Sequence, residues 1–188
     1  MGLPSYSCEE FDLRQPWDEI WGMDTAICIR RGMGKAMIKE LLVIEKDAGT
    51  WEEAIRYSAE ALFRKGYVKD SFYQACVERE KKFPTGLPTK IPVAIPHTDA
   101  EHVNEPAVCL IRLKKPVEFY SMEDGDETVA AEFVFNMALE KGEKQLEMIQ
   151  AIITTAQNST FLSKAKGMTP DEIYQTLYEE WSLAGIIS

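Results

Sequence analysis

Two apolar runs constrain this chain more than any other feature. Ala107 to Leu113 (AVCLIRL) and Val129 to Leu139 (VAAEFVFNMAL) each read as a strand, and an acidic loop, Glu123-Asp124-Gly125-Asp126-Glu127, parts them. Segments of helical period lie before and after the pair, so the chain belongs to the α/β class. Upstream, Glu40 to Ile44 is a short apolar run that fits an opening strand. Thr50 then stands three residues before Glu53 as a capping box, Ile55, Ala59 and Leu62 share one face, and Gly66 ends the helix. Asp70 or Ser71 caps a second helix, on which Phe72, Cys76 and Arg79 fall on one side before Pro84 stops it.

Pro84-Thr85-Gly86 reads as a turn, and Ile91 to Ile95 as a strand whose pairing Pro96 ends. Downstream of the long strands, Gln145 begins a helix with an apolar stripe of Leu146, Ile149, Ile152 and Ile153. A last helix opens on Thr169-Pro170-Asp171-Glu172, with cap, Pro at the first helical position and capping-box Glu, and repeats Ile173, Leu177 and Trp181. With 188 residues and no internal repeat, residues 38–188 are expected to form one domain. Residues 1–37 read differently, having no clean period. They are either an arm that packs Trp17 and Trp21 on the body, or a stretch translated from before the native start, since Arg30-Arg31-Gly32 shortly before Met37 fits a purine-rich ribosome-binding sequence.

A net charge of -10 disfavours nucleic acid, whose binding needs Lys and Arg against phosphates, and suits a basic partner. The cysteines Cys8, Cys28, Cys76 and Cys109 are scattered without a C-x-x-C pair, as expected of reduced thiols. No run is apolar enough to insert in a membrane and the first residues lack a secretory pattern, so the expected location is the cytoplasm.

Both histidines fall in one stretch, KIPVAIPHTDAEHV, from Lys90 to Val103. His97 is expected at the carboxyl end of a strand, where functional groups gather in open α/β sheets. A structural histidine is the plain alternative. Metal binding by His97, Asp99, Glu101 and His102 is a weaker one, because in an extended segment His102 points away from His97 and no third histidine exists. There is no G-x-S-x-G elbow and no G-x-x-x-x-G-K-[ST] phosphate loop, which argues against a serine hydrolase and a nucleotide-driven kinase. What remains is an imidazole able to carry a covalent group. A phosphoryl group there needs N–H donors or a guanidinium, for which Arg79 is the candidate.

Val77-Glu78-Arg79-Glu80, Phe83-Pro84-Thr85-Gly86-Leu87 and Val93-Ala94-Ile95-Pro96-His97 stand in the order and approximate spacing of a known family. With them the chain resembles the fructose/mannitol-type enzyme IIA domains of the bacterial sugar phosphotransferase system, most closely the galactitol-specific branch, from about Thr50 to Tyr178. The resemblance implies a single domain with a central mixed β-sheet flanked by helices and no cofactor. It implies that His97 takes a phosphoryl group from the phosphohistidine of the carrier HPr and gives it to a cysteine of enzyme IIB, with Arg79 neutralising the phosphoryl charge. Uptake of galactitol or a related sugar or sugar alcohol is the expected role. A regulatory module of the nitrogen-branch or transcription-activator kind is the alternative. Thr85, Gln145 and His102 are the candidates to support His97 and Arg79 at the site; His102 is equally read as a surface histidine. Gln145 stands where mannitol and fructose members carry a second histidine, which puts a two-histidine mechanism in doubt. Asp99 and Glu101 are expected to form an acidic rim for partners.

Overall fold

The computed structural model describes residues 38–140 and 143–187. The expectations for residues 1–37 lie outside the described residues. Strands β1 (Glu40–Lys46), β2 (Gly86–Leu87), β3 (Val93–Ala94), β4 (Ala107–Tyr120) and β5 (Thr128–Ala138) form one sheet in the order β1-β4-β5-β3-β2. β1 is parallel to β4 and β3 to β5, whereas β4 with β5 and β2 with β3 are antiparallel, so the sheet is mixed.

The central runs are apolar almost throughout because both faces of the sheet are covered. On one face Ala107, Cys109, Ile111, Val134 and Ala138 meet helices α1 (Trp51–Arg64) and α2 (Phe72–Lys82). Val108, Leu110, Phe133, Phe135 and Met137 on the other face meet α3 (Glu143–Gln157), α4 (Ser159–Ala165) and α5 (Pro170–Leu183). Alternate residues of one strand therefore serve two cores.

Local signals set the helix ends. Thr169 accepts from the Glu172 N–H while the Glu172 carboxylate accepts from the Thr169 N–H, closing the expected capping box at α5. Gly66 has φ 82° at the end of α1, and the Gly66 and Tyr67 N–H groups bond the Phe63 and Leu62 carbonyls. At the start of α1, Thr50 caps Glu53 as expected, but the Glu53 carboxylate reaches the Gly49 N–H rather than closing the box on Thr50.

Several expectations need correction. β4 continues past Leu113 to Tyr120: a register shift between Arg112 and Val117 absorbs Lys114-Lys115-Pro116, and alternation resumes with Val117 and Phe119 buried. Only Val93–Ala94 of the Ile91–Ile95 run is strand, and Gly86, read as a turn, opens β2. A Cβ on Gly86 would lie 2.5 Å from the Tyr120 carbonyl oxygen, so this strand can approach the β4–β5 hairpin only with glycine there. Ser71 is at the N-cap of α2, but its side chain makes no cap bond. Leu146 is 42% exposed, so the buried stripe of α3 is Met148, Ile152, Ile153 and Ala156.

Candidate functional site

β3 and β5 end on the same side of the sheet, and β4, antiparallel to β5, starts there. His97 follows directly. Pro96 lacks an N–H, yet its carbonyl accepts from the Met137 N–H at 3.0 Å and His97 bridges to Met137, so the pairing that Pro96 was expected to end continues beyond it. The histidine is held against β5 and is 4% exposed.

Two neighbours assign its proton. Nδ1 lies 2.9 Å from the Ile95 carbonyl oxygen, which can only accept, so Nδ1–H donates. Nε2 lies 2.9 Å from Nη2 of Arg79, which can only donate, so Nε2 keeps its lone pair. Burial first, and then the Arg79 charge, push the pKa of His97 down to about 4, opposed by the Ile95 carbonyl and Asp99. At pH 7 the ring is neutral, with its lone pair on Nε2.

Arg79 comes from the last turn of α2, where the helix dipole favours a cation. Its Cζ sits 5.5 Å from the centre of the exposed Phe83 ring, which gives the guanidinium an apolar shelf beside the histidine. Behind it, the Asn136 amide donates to Ser58 Oγ at 2.8 Å and faces Cys76 Sγ at 3.9 Å, so a buried polar link fixes β5 to α1 and α2.

Glu80, the residue after Arg79, is 3% exposed. Its Oε1 accepts from the Thr85 N–H at 2.9 Å and its Oε2 from the Thr85 hydroxyl at 2.7 Å. Burial pushes this carboxyl up to about 7, with the Thr85 bonds and then Arg79 acting the other way. Sequence reading gave Glu80 no role. A signal existed, because Phe72, Cys76 and Glu80 recur every four residues and hence share the buried face of α2.

Of the expected residues, the structure brings Arg79 and His97 together. Thr85 contacts neither of them in these bonds, its side chain turned to Glu80 and its carbonyl accepting from the Ile95 N–H at 3.2 Å. His102 is elsewhere: it sits on the Ala100–His102 turn with Nδ1 2.8 Å from Ser71 Oγ and Nε2 3.3 Å from Glu101. Ser71 precedes α2, about 12 Å along the axis from Arg79 at about 1.5 Å per residue. Gln145 lies in the first turn of α3, but its side chain is outside the described residues. Asp99 and Glu101 are exposed, as an acidic rim requires. Among the described residues no group of three His, Cys, Asp or Glu side chains is placed to hold a metal ion, and no helix is long and apolar enough to cross a membrane.

Comparison with known proteins bears on this geometry. The family model described as "Phosphoenolpyruvate-dependent sugar phosphotransferase system, EIIA 2" matches residues 36–180. The galactitol-specific EIIA component of Escherichia coli (strain K12) is 31% identical over 106 residues, covering 56% of this chain and 70% of that protein. The mannitol-specific phosphotransferase enzyme IIA component of Enterococcus faecalis is 28% identical over 138 residues, 71% of this chain and 91% of that one. The mannitol enzyme IIA of Escherichia coli, solved in complex with phosphorylated mannitol enzyme IIB, superposes with a TM-score of 0.61 at 26% identity, over 73% of this chain and 94% of that chain.

Proposed function

We propose that this chain, which belongs to the EIIA 2 family of the phosphoenolpyruvate-dependent sugar phosphotransferase system, carries its phosphoryl group on Nε2 of His97. EIIA components are phosphotransferases, so the chain is the phosphocarrier type of protein within a sugar phosphotransferase system. The observation that carries the assignment to Nε2 is the pair of contacts on the ring, a carbonyl on Nδ1–H and a donor-only guanidinium on Nε2.

The chemistry follows from that arrangement. A donor phosphohistidine, that of HPr, presents its phosphorus in line with Nε2. As the donor's P–N bond breaks, its electron pair stays on the donor nitrogen while the Nε2 lone pair forms the new bond. Arg79 turns its N–H groups from Nε2 to the phosphoryl oxygens, meeting charge where it develops. Nδ1–H stays on the Ile95 carbonyl, which stabilises the positive charge that the ring acquires. The second transfer reverses these roles: a thiolate of enzyme IIB attacks phosphorus, the P–Nε2 bond breaks, and the ring recovers its lone pair. No further acid or base is required.

Galactitol or a related sugar alcohol is the solute we assign to the cognate permease, on the strength of the galactitol-specific relative. The partners are HPr and enzyme IIB, and the location is the cytoplasm. The test is intact-mass spectrometry after incubation with phosphoenolpyruvate, enzyme I and HPr, kept from acid and run beside His97→Ala. One added phosphoryl group that is lost in the variant supports the reading; no adduct on the wild type, with HPr itself charged, sinks it.

A further inference from the structure

Arg79 and His97 reach the site from different elements, one on a helix and one beyond a short strand, and each needs a fixed position for the Arg79–Nε2 contact to form. A single chain of hydrogen bonds joins the two elements. Glu80, next to Arg79, accepts from both the N–H and the hydroxyl of Thr85. The Thr85 carbonyl accepts from the Ile95 N–H, and the Ile95 carbonyl accepts from Nδ1–H of His97. From the geometry we infer that Glu80 is a positioning residue for phosphoryl transfer, acting through Thr85 and Ile95 to hold His97 in the tautomer that leaves Nε2 open. This inference rests on the reading of His97 as the phosphoryl carrier.

Three features separate this arrangement from ordinary helix-to-turn bonding. The carboxylate is buried, which is costly for a charged group without full hydrogen bonding, and both of its oxygens serve one residue. Thr85 is itself buried, so its N–H and hydroxyl face the carboxylate rather than bulk water. The stretch that Glu80 anchors is short: β3 has two residues, and its pairing with β2 covers only Gly86–Ala94 and Leu87–Val93. β5 pairs with one edge of this stretch, from Val93–Phe133 to His97–Met137. On the other edge the short β2 ladder and the Thr85–Ile95 bond hold the Ile95 side, and there the clamp from α2 adds rigidity.

The test has a readout that needs no phosphoryl donor. Imidazole 15N shifts of the wild type at pH 7 are expected to show one His97 tautomer, with Nδ1 protonated and Nε2 not. Glu80→Ala is expected to mix the tautomers and to slow phosphoryl uptake from charged HPr by roughly 10- to 100-fold, the scale of a misplaced reacting group. Glu80→Gln, which keeps an acceptor for the Thr85 N–H and offers its amide to the hydroxyl, recovers most of that loss. Thr85→Val deletes only the hydroxyl and shifts the tautomers the same way by less; it decides the matter if Glu80→Ala does not fold. Retention of the single tautomer in these variants overturns the role of Glu80, whatever their rates. A wild type that takes up no phosphoryl group overturns the carrier reading instead, while the tautomer comparison still judges the clamp.

Discussion

Helix α2 has a histidine docked at each end, His97 against Arg79 in its last turn and His102 against Ser71 at its N-cap. His97 is buried, carries its proton on the nitrogen facing a carbonyl, and turns its lone pair toward a cation that can only donate. His102 is partly exposed, between a hydroxyl that can donate or accept and a carboxylate. Both lie in one stretch of sequence, only five positions apart, and both touch the same helix. What separates them is desolvation together with the partner on Nε2: a donor-only guanidinium leaves His97 no place for a second ring proton, whereas the hydroxyl and the carboxylate at His102 can both accept.

The contrast breaks most directly at the two histidines. His97→Ala is expected to abolish phosphoryl uptake and His102→Ala to leave it intact, as read by intact mass. Uptake lost in both would join His102 to the site.

Arg79 comes next in size. Arg79→Ala is expected to slow uptake by about 100- to 1,000-fold, since on the proposed mechanism it removes the donor that meets the developing phosphoryl charge. Arg79→Lys falls between, because a point charge lacks the fork of the guanidinium. Stopped-flow transfer from charged HPr would measure both, and a lysine variant as fast as wild type would deny the fork any role.

Acid acts on the two buried groups of the site in opposite directions. His97 has its folded pKa lowered from 6.5 to about 4, so between those values the unfolded chain binds more protons and stability falls as pH falls, by about 3 kcal/mol in all. Glu80 is raised from 4.5 to about 7, so between those values the native state binds more protons and stability falls as pH rises, by a similar amount. The two slopes oppose one another between pH 4.5 and 6.5. Relative to wild type, Glu80→Gln is expected to lose stability more steeply on acidification in that window, and His97→Asn to lose it less steeply or gain. Denaturant midpoints at several pH values check this, and parallel profiles would show that neither group is perturbed.

The smallest effect belongs to the other end of α2. His102→Ala removes the Ser71 contact at the surface and is expected to cost no more than about 1 kcal/mol. A larger loss in thermal unfolding would mean that the Ala100–His102 turn anchors more of the fold than its exposure implies.

The sequence revealed these two regions unequally. Helix ends were legible where a cap is chemically specific, as with Thr169-Pro170-Asp171-Glu172, and so were the long strands, because burial on both faces leaves a run with few polar residues. Features that depend on tertiary partners were hidden. Lys114-Lys115-Pro116 looks like a strand end, yet β5 continues to pair beyond it through a register shift. Gly86 looks like turn punctuation, although its need for glycine comes from the Tyr120 backbone passing beside it. The short α4 rests on one cap, the Asn158 side chain accepting from the Phe161 N–H, too little to announce a helix. His97 and Arg79 could be named from motif spacing; the tautomer could not, because it depends on which atoms the fold sets against each nitrogen. Glu80 escaped because an acid in a charged run, Glu78-Arg79-Glu80-Lys81-Lys82, reads as solvated until Thr85 folds back upon it.

Every expected loss of phosphoryl uptake depends on Nε2 of His97 carrying the phosphoryl group. The most direct test of that assignment is one-bond 15N–31P coupling in 15N-labelled protein charged by HPr and held at alkaline pH. Coupling is expected to Nε2 of His97, with Nδ1 still protonated. Coupling to Nδ1, or to His102, would contradict it.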